Sequence, residues 1–469
     1  MSQEPWDNPW KWDTLVHVCR KWRNIVFASP RRLDLRLLCT HKTPVKRILE
    51  YWPPFPIVIK YWATLEFRPP SLEDEDNVVA ALEYPDRIRG VRLAVTSSLL
   101  GKVATLMQVP FPALTSLSLW WDNGLSQAAA PLLPNALLGG LAPCLRDLSL
   151  IGIPFPNLPG LLSSTRSLAS LRLLEVPETG YIAPRVMAAC LSALADLKVL
   201  CIEFHSPTSR PDRERRFPPP PPNRVTLPTL TRFNFRGSSE YLEDLLARID
   251  APFLSHVDIT FFNQLIFQVP HLSHFIGRIE MLQSANVAEM ESSLGNGVSI
   301  KLEGNSGASA TPGTFGYPLS LCVSCGELDW QISSMAQICS QSPLFSGVEH
   351  LDIRADYLHL GYLWQDDEMD SHAWLELFRS FTSVKTLSIS GELGPHVAPA
   401  LEVVATTVTE VLLPGLRMLH FECSRKSAPV ENFVEARLKS NLPVDVLHRP
   451  FPSWEVLDDA SDTRSAVSV

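Results

Sequence analysis

The fold class this sequence predicts is α/β, a solenoid of leucine-rich-repeat-like strand units, and three observations predict it. A template L-x-x-L-x-L, with apolar substitutes, recurs along the chain. Its last two apolar positions alternate with polar residues, as a half-buried strand requires. The segments between templates carry apolar residues at helical spacing, as at Tyr241 to Ile249 and Ala373 to Phe381. At 469 residues the chain is long for one compact core, which suits several domains or one elongated array.

The template occurs at Ile88, Val91 and Leu93; Leu114, Leu117 and Leu119; Leu145, Leu148 and Leu150; Leu168, Leu171 and Leu173; and Leu197, Leu200 and Ile202. It continues at Leu230, Phe233 and Phe235; Leu254, Val257 and Ile259; Val348, Leu351 and Ile353; Val384, Leu387 and Ile389; and Leu416, Leu419 and Phe421. Spacings between units mostly fall between roughly 23 and 36 residues, room for a strand, a return segment and two corners. A single unit buries too little alone, so the array is expected to fold as a stack. Between Ile259 and Val348 the stretches around Leu272 and Phe275, Val298 to Leu302 and Leu319 to Val323 read as degenerate units continuing it.

Upstream of the repeats the pattern is helical. Asp13 caps a helix with Leu15, Val18, Cys19, Trp22, Ile25 and Val26 on one face, and Ser29-Pro30 ends it. Thr43-Pro44 opens a second helix that runs to Trp52 before Pro53-Pro54. Ile57 to Tyr61 then reads as the first strand. The expected organisation is a helical segment over 1–52, repeats over 53–442 with flexible loops near 206–224 and 303–316, and a disordered C-terminal tail over 443–469.

The run from Trp12 to Leu33 resembles the latter part of an F-box, through Trp12, Leu15, Val18, Cys19, Arg20, Trp22, Arg23, Ile25, Ser29 and Pro30. With the repeats behind it, the chain is similar to fungal F-box proteins with degenerate leucine-rich tails. No Leu-Pro helix precedes Trp12, so the module is read as truncated at its N-terminus. The resemblance implies that Leu15, Val18, Cys19, Trp22, Ile25 and Pro30 hold a Skp-type adaptor and through it a cullin. Trp22 is expected to pack inward. It also implies that the repeats receive an unknown protein substrate of a ubiquitin ligase. The alternative is a leucine-rich scaffold that binds a partner without ligase association. Under either reading the candidate partner-binding residues lie beside the strand leucines: Trp120, Arg172, Glu203, Asn234, Asp258, Asp352 and His420.

Composition narrows the function classes. Hydrophobic residues at 45% and charged residues at 19% indicate a folded chain rather than a disordered one. A net charge of −9 argues against nucleic acid, and the nearest basic cluster, Arg210 to Arg216, is broken by Asp212 and Glu214. The uncharged stretch Asn123 to Leu145 is interrupted by Pro131, Pro134, Pro143 and Gly139-Gly140, so no membrane span is expected. Nine cysteines without framework spacing read as reduced, mostly buried thiols of a cytoplasmic or nuclear protein.

The remaining motifs read as structural. Cys322-x-x-Cys325 lies on a strand, where residues three apart face opposite sides, so a zinc site is not expected. The run Arg215 to Pro222 reads as a stiff loop rather than a polyproline ligand. The acidic runs Glu73 to Asp76 and Asp366 to Asp370 read as solvated loops. Gly295-Asn296-Gly297 reads as a turn before a strand. His256, His350 and His420 read as matching strand positions on a polar face. No nucleophile elbow, phosphate loop or metalloprotease helix occurs, so no enzyme, cofactor or metal is expected.

Overall fold

The structure is a computed structural model. It describes residues 19–28, 34–51, 53–61, 72–121, 131–206, 224–293, 297–303, 317–325, 328–355, 371–389, 393–406, 412–422 and 430–449. The Arg215 to Pro222 run, Asp366 to Asp370 and Asp13 lie outside them. The chain divides into two compact units, Met1–Asp258 with Ser309–Gly316, and Ile259–Ala308 with Tyr317–Val469.

The first unit carries strands β1 (Leu35–Leu38), β2 (Ile57–Tyr61), β3 (Ile88–Val95), β4 (Ser116–Trp121), β5 (Asp147–Ile151), β6 (Ser170–Val176), β7 (Val199–Phe204), β8 (Val225–Thr226), β9 (Arg232–Gly237) and β10 (Ile249–Asp250). From β1 through β7 to β9 each strand pairs in parallel with the next, and β8 and β10 form a separate parallel pair. The template positions stack in register. Val91, Leu117, Leu148, Leu171, Leu200 and Phe233 form one row, and Leu93, Leu119, Leu150, Leu173, Ile202 and Phe235 form the next. All of them are buried.

A recurring corner sets this register. The N–H of the first template residue donates to the carbonyl three residues back, as in Leu114 to Phe111, Leu145 to Ala142, Leu197 to Leu194 and Leu230 to Leu227. The next two amides that enter the strand share one carbonyl of the preceding unit. Arg146 and Asp147 donate to Thr115, Ala169 and Ser170 to Arg146, Lys198 and Val199 to Ala169, and Thr231 and Arg232 to Lys198. No side chain is needed for this bond, so the units tolerate sequence drift.

Helices α1 (Arg20–Phe27), α2 (Val45–Tyr51), α3 (Leu72–Leu82), α4 (Ser97–Leu106), α5 (Leu158–Leu162), α6 (Pro184–Leu191) and α7 (Ser239–Leu246) fall between the strands or before them. Packing runs in succession from α2 through α4 and from α5 through α7. The α7 helix, capped by Ser238, buries Tyr241, Leu242, Leu245 and Leu246, and Tyr241 donates its hydroxyl to the Ile182 carbonyl at 3.0 Å. The helix expected from Tyr241 is therefore present.

The second unit begins within β11 (His256–Phe262) and carries β12 (Val287–Ser293), β13 (Gly297–Glu303), β14 (Leu319–Ser324), β15 (His350–Ala355), β16 (Thr386–Ile389), β17 (Met418–Glu422) and β18 (Asp445–Arg449). β12, β15, β16, β17 and β18 pair in parallel in that order. The same shared carbonyl recurs, with Glu349 and His350 donating to Asn286, Lys385 and Thr386 to Glu349, and Arg417 and Met418 to Lys385. Its helices are α8 (Pro270–Ile276), α9 (Glu280–Gln283), α10 (Leu328–Ser340), α11 (Ser371–Arg379), α12 (Gly394–Thr406) and α13 (Glu431–Lys439), of which α10 to α13 pack in succession.

Four expectations are corrected. The first strand is β1, not Ile57 to Tyr61, because Leu35 and Leu37 alternate with exposed residues and pair with β2. The stretch between Ile259 and Val348 does not continue the repeat. Leu272 and Phe275 belong to α8, and β12, β13 and β14 form an antiparallel meander. Only residues 294–296 separate β12 from β13, too few for the crossover that a parallel pair needs. Gly297, at φ +110°, completes that turn, and a Cβ there would fall 1.9 Å from the Val323 carbonyl oxygen.

The acidic run at Glu73 is not a loop but the first turn of α3, where carboxylates suit the helix dipole. Asp74 and Glu75 are buried there. Asp74 accepts from the His41 amide, and Glu75 accepts from Lys102 at 2.8 Å and Thr96 at 3.3 Å. The tail beyond 443 is ordered through β18, because Asp445 takes up the Arg417 carbonyl and extends the sheet.

Arg437 of α13 fastens this last part. At 4% exposure its guanidinium donates to the carbonyls of Leu412, Leu413, Leu416 and Leu442, at 2.8 to 3.2 Å. Replacement by Met removes these donors, although the Leu413 carbonyl keeps the Leu416 amide, and is expected to cost about 3 kcal/mol in urea denaturation. Leu171→Ala and Leu200→Ala should each cost about 2–5 kcal/mol in the same assay. Because the two leucines are paired in register, the double variant should depart from additivity. An unchanged midpoint for either leucine variant contradicts the stacked row.

Candidate functional site

Strand alternation leaves every second residue of β3 to β7 and of β9 on the face turned away from the buried leucines. One row there reads Arg92, Ser118, Ser149, Arg172, Cys201 and Asn234 in cross-strand register. Beside it Trp120 aligns with Ile151 and Leu174, an apolar stretch of half-buried side chains, and Glu203 aligns with Arg236. Arg172 and Asp258 are exposed, whereas Glu203 and Asn234 are half-buried.

These groups feel one another's charge. Burial pushes the Cys201 thiol up to about 11, with Arg172 opposing and Glu203 and Asp258 adding to the shift. Burial also raises the Glu203 carboxyl, against the pull of Arg236 and with a push from Asp258. His256 is lowered by burial and then by Arg232, and its Nδ1 lies 2.9 Å from the Ser255 hydroxyl. The structure thus gathers Arg172, Glu203, Asn234 and Asp258 around Cys201 and places Trp120 in the adjoining row. The arrangement suits ion pairing and hydrogen bonding. It holds Cys201 as a thiol, the unreactive form.

In the second unit Asp352 and His420 share a row with Glu289 and Ser388. Arg354 bridges Glu289 at 3.1 Å and Asp352 at 2.5 Å, and Tyr317 donates to Glu289 at 2.6 Å. That hydrogen bond, with burial behind it, pushes the Tyr317 hydroxyl up to about 12. Lys301 pairs with Glu291 at 2.7 Å and sits 5.4 Å from the Tyr317 ring centre. Sequence reasoning missed Glu289, Lys301, Tyr317 and Arg354, although the alternation of polar with apolar residues from Val287 to Glu303 was the available signal. The histidine match is corrected as well. His350 aligns with Thr386 and Met418, while His420 aligns with Asp352, two residues further along the strand.

Of the adaptor-binding candidates, Leu15, Val18 and Pro30 lie outside the described residues. Cys19, Trp22 and Ile25 are exposed on α1 or at its start. Trp22 is 47% exposed, which overturns its inward packing, and Ile25 is 54% exposed. Arg20, Lys21, Arg23 and Asn24 are exposed too.

Cys39, Cys325 and Cys339 are buried like Cys201, Cys190 and Cys322 are half-buried, and Cys19 and Cys144 are exposed. Among the described residues no group of three His, Cys, Asp or Glu side chains is placed to hold a metal ion. Among them, too, no helix is long and apolar enough to cross a membrane.

No known family model matches the sequence, and no curated protein is similar to it. Among solved structures the chain is similar to the leucine-rich repeat-containing protein LegL7 from Legionella pneumophila, at 15% identity and a TM-score of 0.27, over 71% of this chain and 93% of that one. The register described above rests on this chain's own hydrogen bonds.

Burial predicts the thiol chemistry. Cys39 is pushed up to about 12 by burial and then by Asp74, and Cys339 is raised by burial alone. At pH 8 a thiol near 11 is ionised in only about one molecule in a thousand, against about a quarter for a free cysteine. Iodoacetamide at pH 8 should therefore modify Cys19 and Cys144 in the native protein, and Cys39, Cys201 and Cys339 only after unfolding. Peptide mass mapping reads the order of labelling. Early labelling of Cys201 contradicts the burial of this side chain.

Proposed function

We propose that this chain is a non-catalytic recognition protein whose strand faces hold a partner protein. One observation carries the reading: in each unit the template leucines are sealed while polar and charged residues form registered rows on the opposite side of the strands. Rows of this kind present side chains at the strand spacing of about 4.8 Å, a regular grid for matching a peptide surface. The solenoid is part of this proposal, since repeated units of one strand and one return segment stack in that way. Trp120, Arg172, Glu203, Asn234 and Asp258 supply contacts in the first unit, and Asp352 and His420 supply them in the second. No cofactor takes part.

The finer reading is a substrate receptor of a Skp, cullin and F-box type ubiquitin ligase, acting in the cytoplasm or nucleus. The outward Trp22 and Ile25, three residues apart on α1, favour it, because an exposed apolar edge is suited to covering by another protein. Leu15, Val18, Cys19 and Pro30 complete the contact in this reading. A leucine-rich scaffold without ligase association is the alternative.

Purified Skp-type adaptor mixed with the full chain distinguishes the two. Trp22→Asp with Ile25→Asp, and separately Leu15→Asp with Val18→Asp, should abolish co-elution in gel filtration while circular dichroism stays unchanged. A parent that does not co-elute with the adaptor removes the ligase reading and leaves the scaffold. Equal binding by parent and variants shows that the adaptor is held elsewhere.

A further inference from the structure

The corners that fix the strand register in the first unit also fix a set of charges. Arg146, Ala169 and Lys198 each offer the shared carbonyl to the next unit, so Arg146 and Lys198 stand two strands apart, roughly 10 Å at the usual strand spacing. Both side chains are exposed, at the entries to β5 and β7. Two exposed arginines lie on the strands that flank β7. Arg232 of β9 aligns with Val199, and Arg172 of β6 aligns with Cys201. Lys198, Arg172 and Arg232 thus surround the first residues of β7, and both arginines act on the Cys201 thiol between them.

On a chain of net charge −9 these cations are not neutralised from within. Among the described residues Arg146, Arg172, Lys198 and Arg232 form no ion pair. The acids on β5 and β11, Asp147 and Asp258, already have partners. Asp196, exposed at the bend two residues before Lys198, forms no ion pair with it. Ser149, in register with Arg172, and Ser170, two residues before it, add hydroxyl donors on the same face. The carboxylates without such partners lie at the other end of the strands. Glu203 stands five residues beyond Lys198, roughly 16 Å along β7, and Glu175 is exposed near the end of β6.

The face therefore changes sign along the strands, cationic where the chain enters and acidic where it leaves. A partner segment gains by placing carboxylates over the entry and loses by placing them over the exit, so charge selects both the side chain and its location. Guanidinium groups suit this task, because their fork of donors matches a carboxylate. We propose that the entry half of the first unit's strand face receives acidic side chains of a partner's peptide segment, held by Arg172, Lys198 and Arg232 with Arg146 at the margin. The proposal rests on the strand-face reading of function and adds the chemistry of the partner. It involves neither α1 nor the adaptor.

Fluorescence anisotropy with the full chain tests it, using the labelled peptide Gly-Glu-Leu-Glu-Leu-Glu-Gly and its counterparts with Gln or Lys in place of Glu. The acidic peptide should bind, and the other two should bind about tenfold more weakly or not at all. Arg172→Gln with Arg232→Gln should weaken the acidic peptide about tenfold. The same removal of charge on α2, Lys46→Gln with Arg47→Gln, should leave it unchanged. All four side chains are exposed, so circular dichroism should match the parent. No binding of the acidic peptide, equal binding of the three peptides, or equal losses in the two variants overturns the proposal. So does a labelled oligothymidine that binds as tightly as the acidic peptide, since the cations then serve a phosphate backbone. A random heptapeptide phage library panned on the full chain separates this proposal from the reading beneath it. Enriched neutral or basic sequences that are lost on Trp120→Asp or Asn234→Asp overturn the acidic occupant and keep the strand face. Enriched sequences indifferent to those variants and to Arg172→Gln with Arg232→Gln overturn both.

Discussion

The architecture depends on one backbone interaction: a single carbonyl at the end of each unit's corner accepts the two amides that lead into the next strand. Thr115, Arg146, Ala169 and Lys198 play this part in the first unit, and Asn286, Glu349 and Lys385 play it in the second. A buried amide left without a partner costs free energy comparable to a lost hydrogen bond, so the entry point of each strand is fixed to the residue. Once entry is fixed, the period of two does the rest. Leu148, Leu171 and Leu200 must meet in one row, and Ser149, Arg172 and Cys201 must meet in another on the opposite face.

The candidate contact faces are therefore a consequence of packing. A slip of one residue in β6 would bury Arg172 and expose Leu171, and the first of these requires an uncompensated charge in the core. This is why charged residues such as Glu203 and Asp352 occur within strands without weakening them. They lie on the side that the leucines leave. In the second unit the same positions are joined into a network, with Arg354 between Glu289 and Asp352 and Tyr317 hydrogen-bonded to Glu289. Exposed pairs of this sort add little stability but fix the orientation of the side chains on that face.

Where the parallel pattern stops, the chain satisfies its backbone by other means. A three-residue connection between β12 and β13 forces antiparallel pairing, and Gly297 supplies the backbone conformation that a side chain would obstruct. The segment after β11 has Gln337 and Gln341 in place of a strand neighbour. Arg437 closes four carbonyls around the last corner. In each case a polar side chain or a glycine does what the shared carbonyl does elsewhere.

Periodicity alone determined the strands from Ile88 to Ile259 and from Val348 to Phe421, the helices near Tyr241 and Ala373, and the split between buried leucines and outward Trp120, Arg172, Asn234 and Asp258. These are local properties, because alternation and helical spacing are written in consecutive residues. What pairs with what was not local. The meander of β12 to β14 has the same alternation as a parallel unit, and only the direction of its partners separates them. The row shared by Asp352 and His420, the burial of Asp74 and Glu75, and the glutamine clamp behind Leu265 join residues distant in sequence through hydrogen bonds that no pattern announces. Trp22 shows the limit from the other side. A tryptophan on the apolar face of a helix reads as core, yet burial requires a neighbour to pack against, and that is decided by tertiary structure alone.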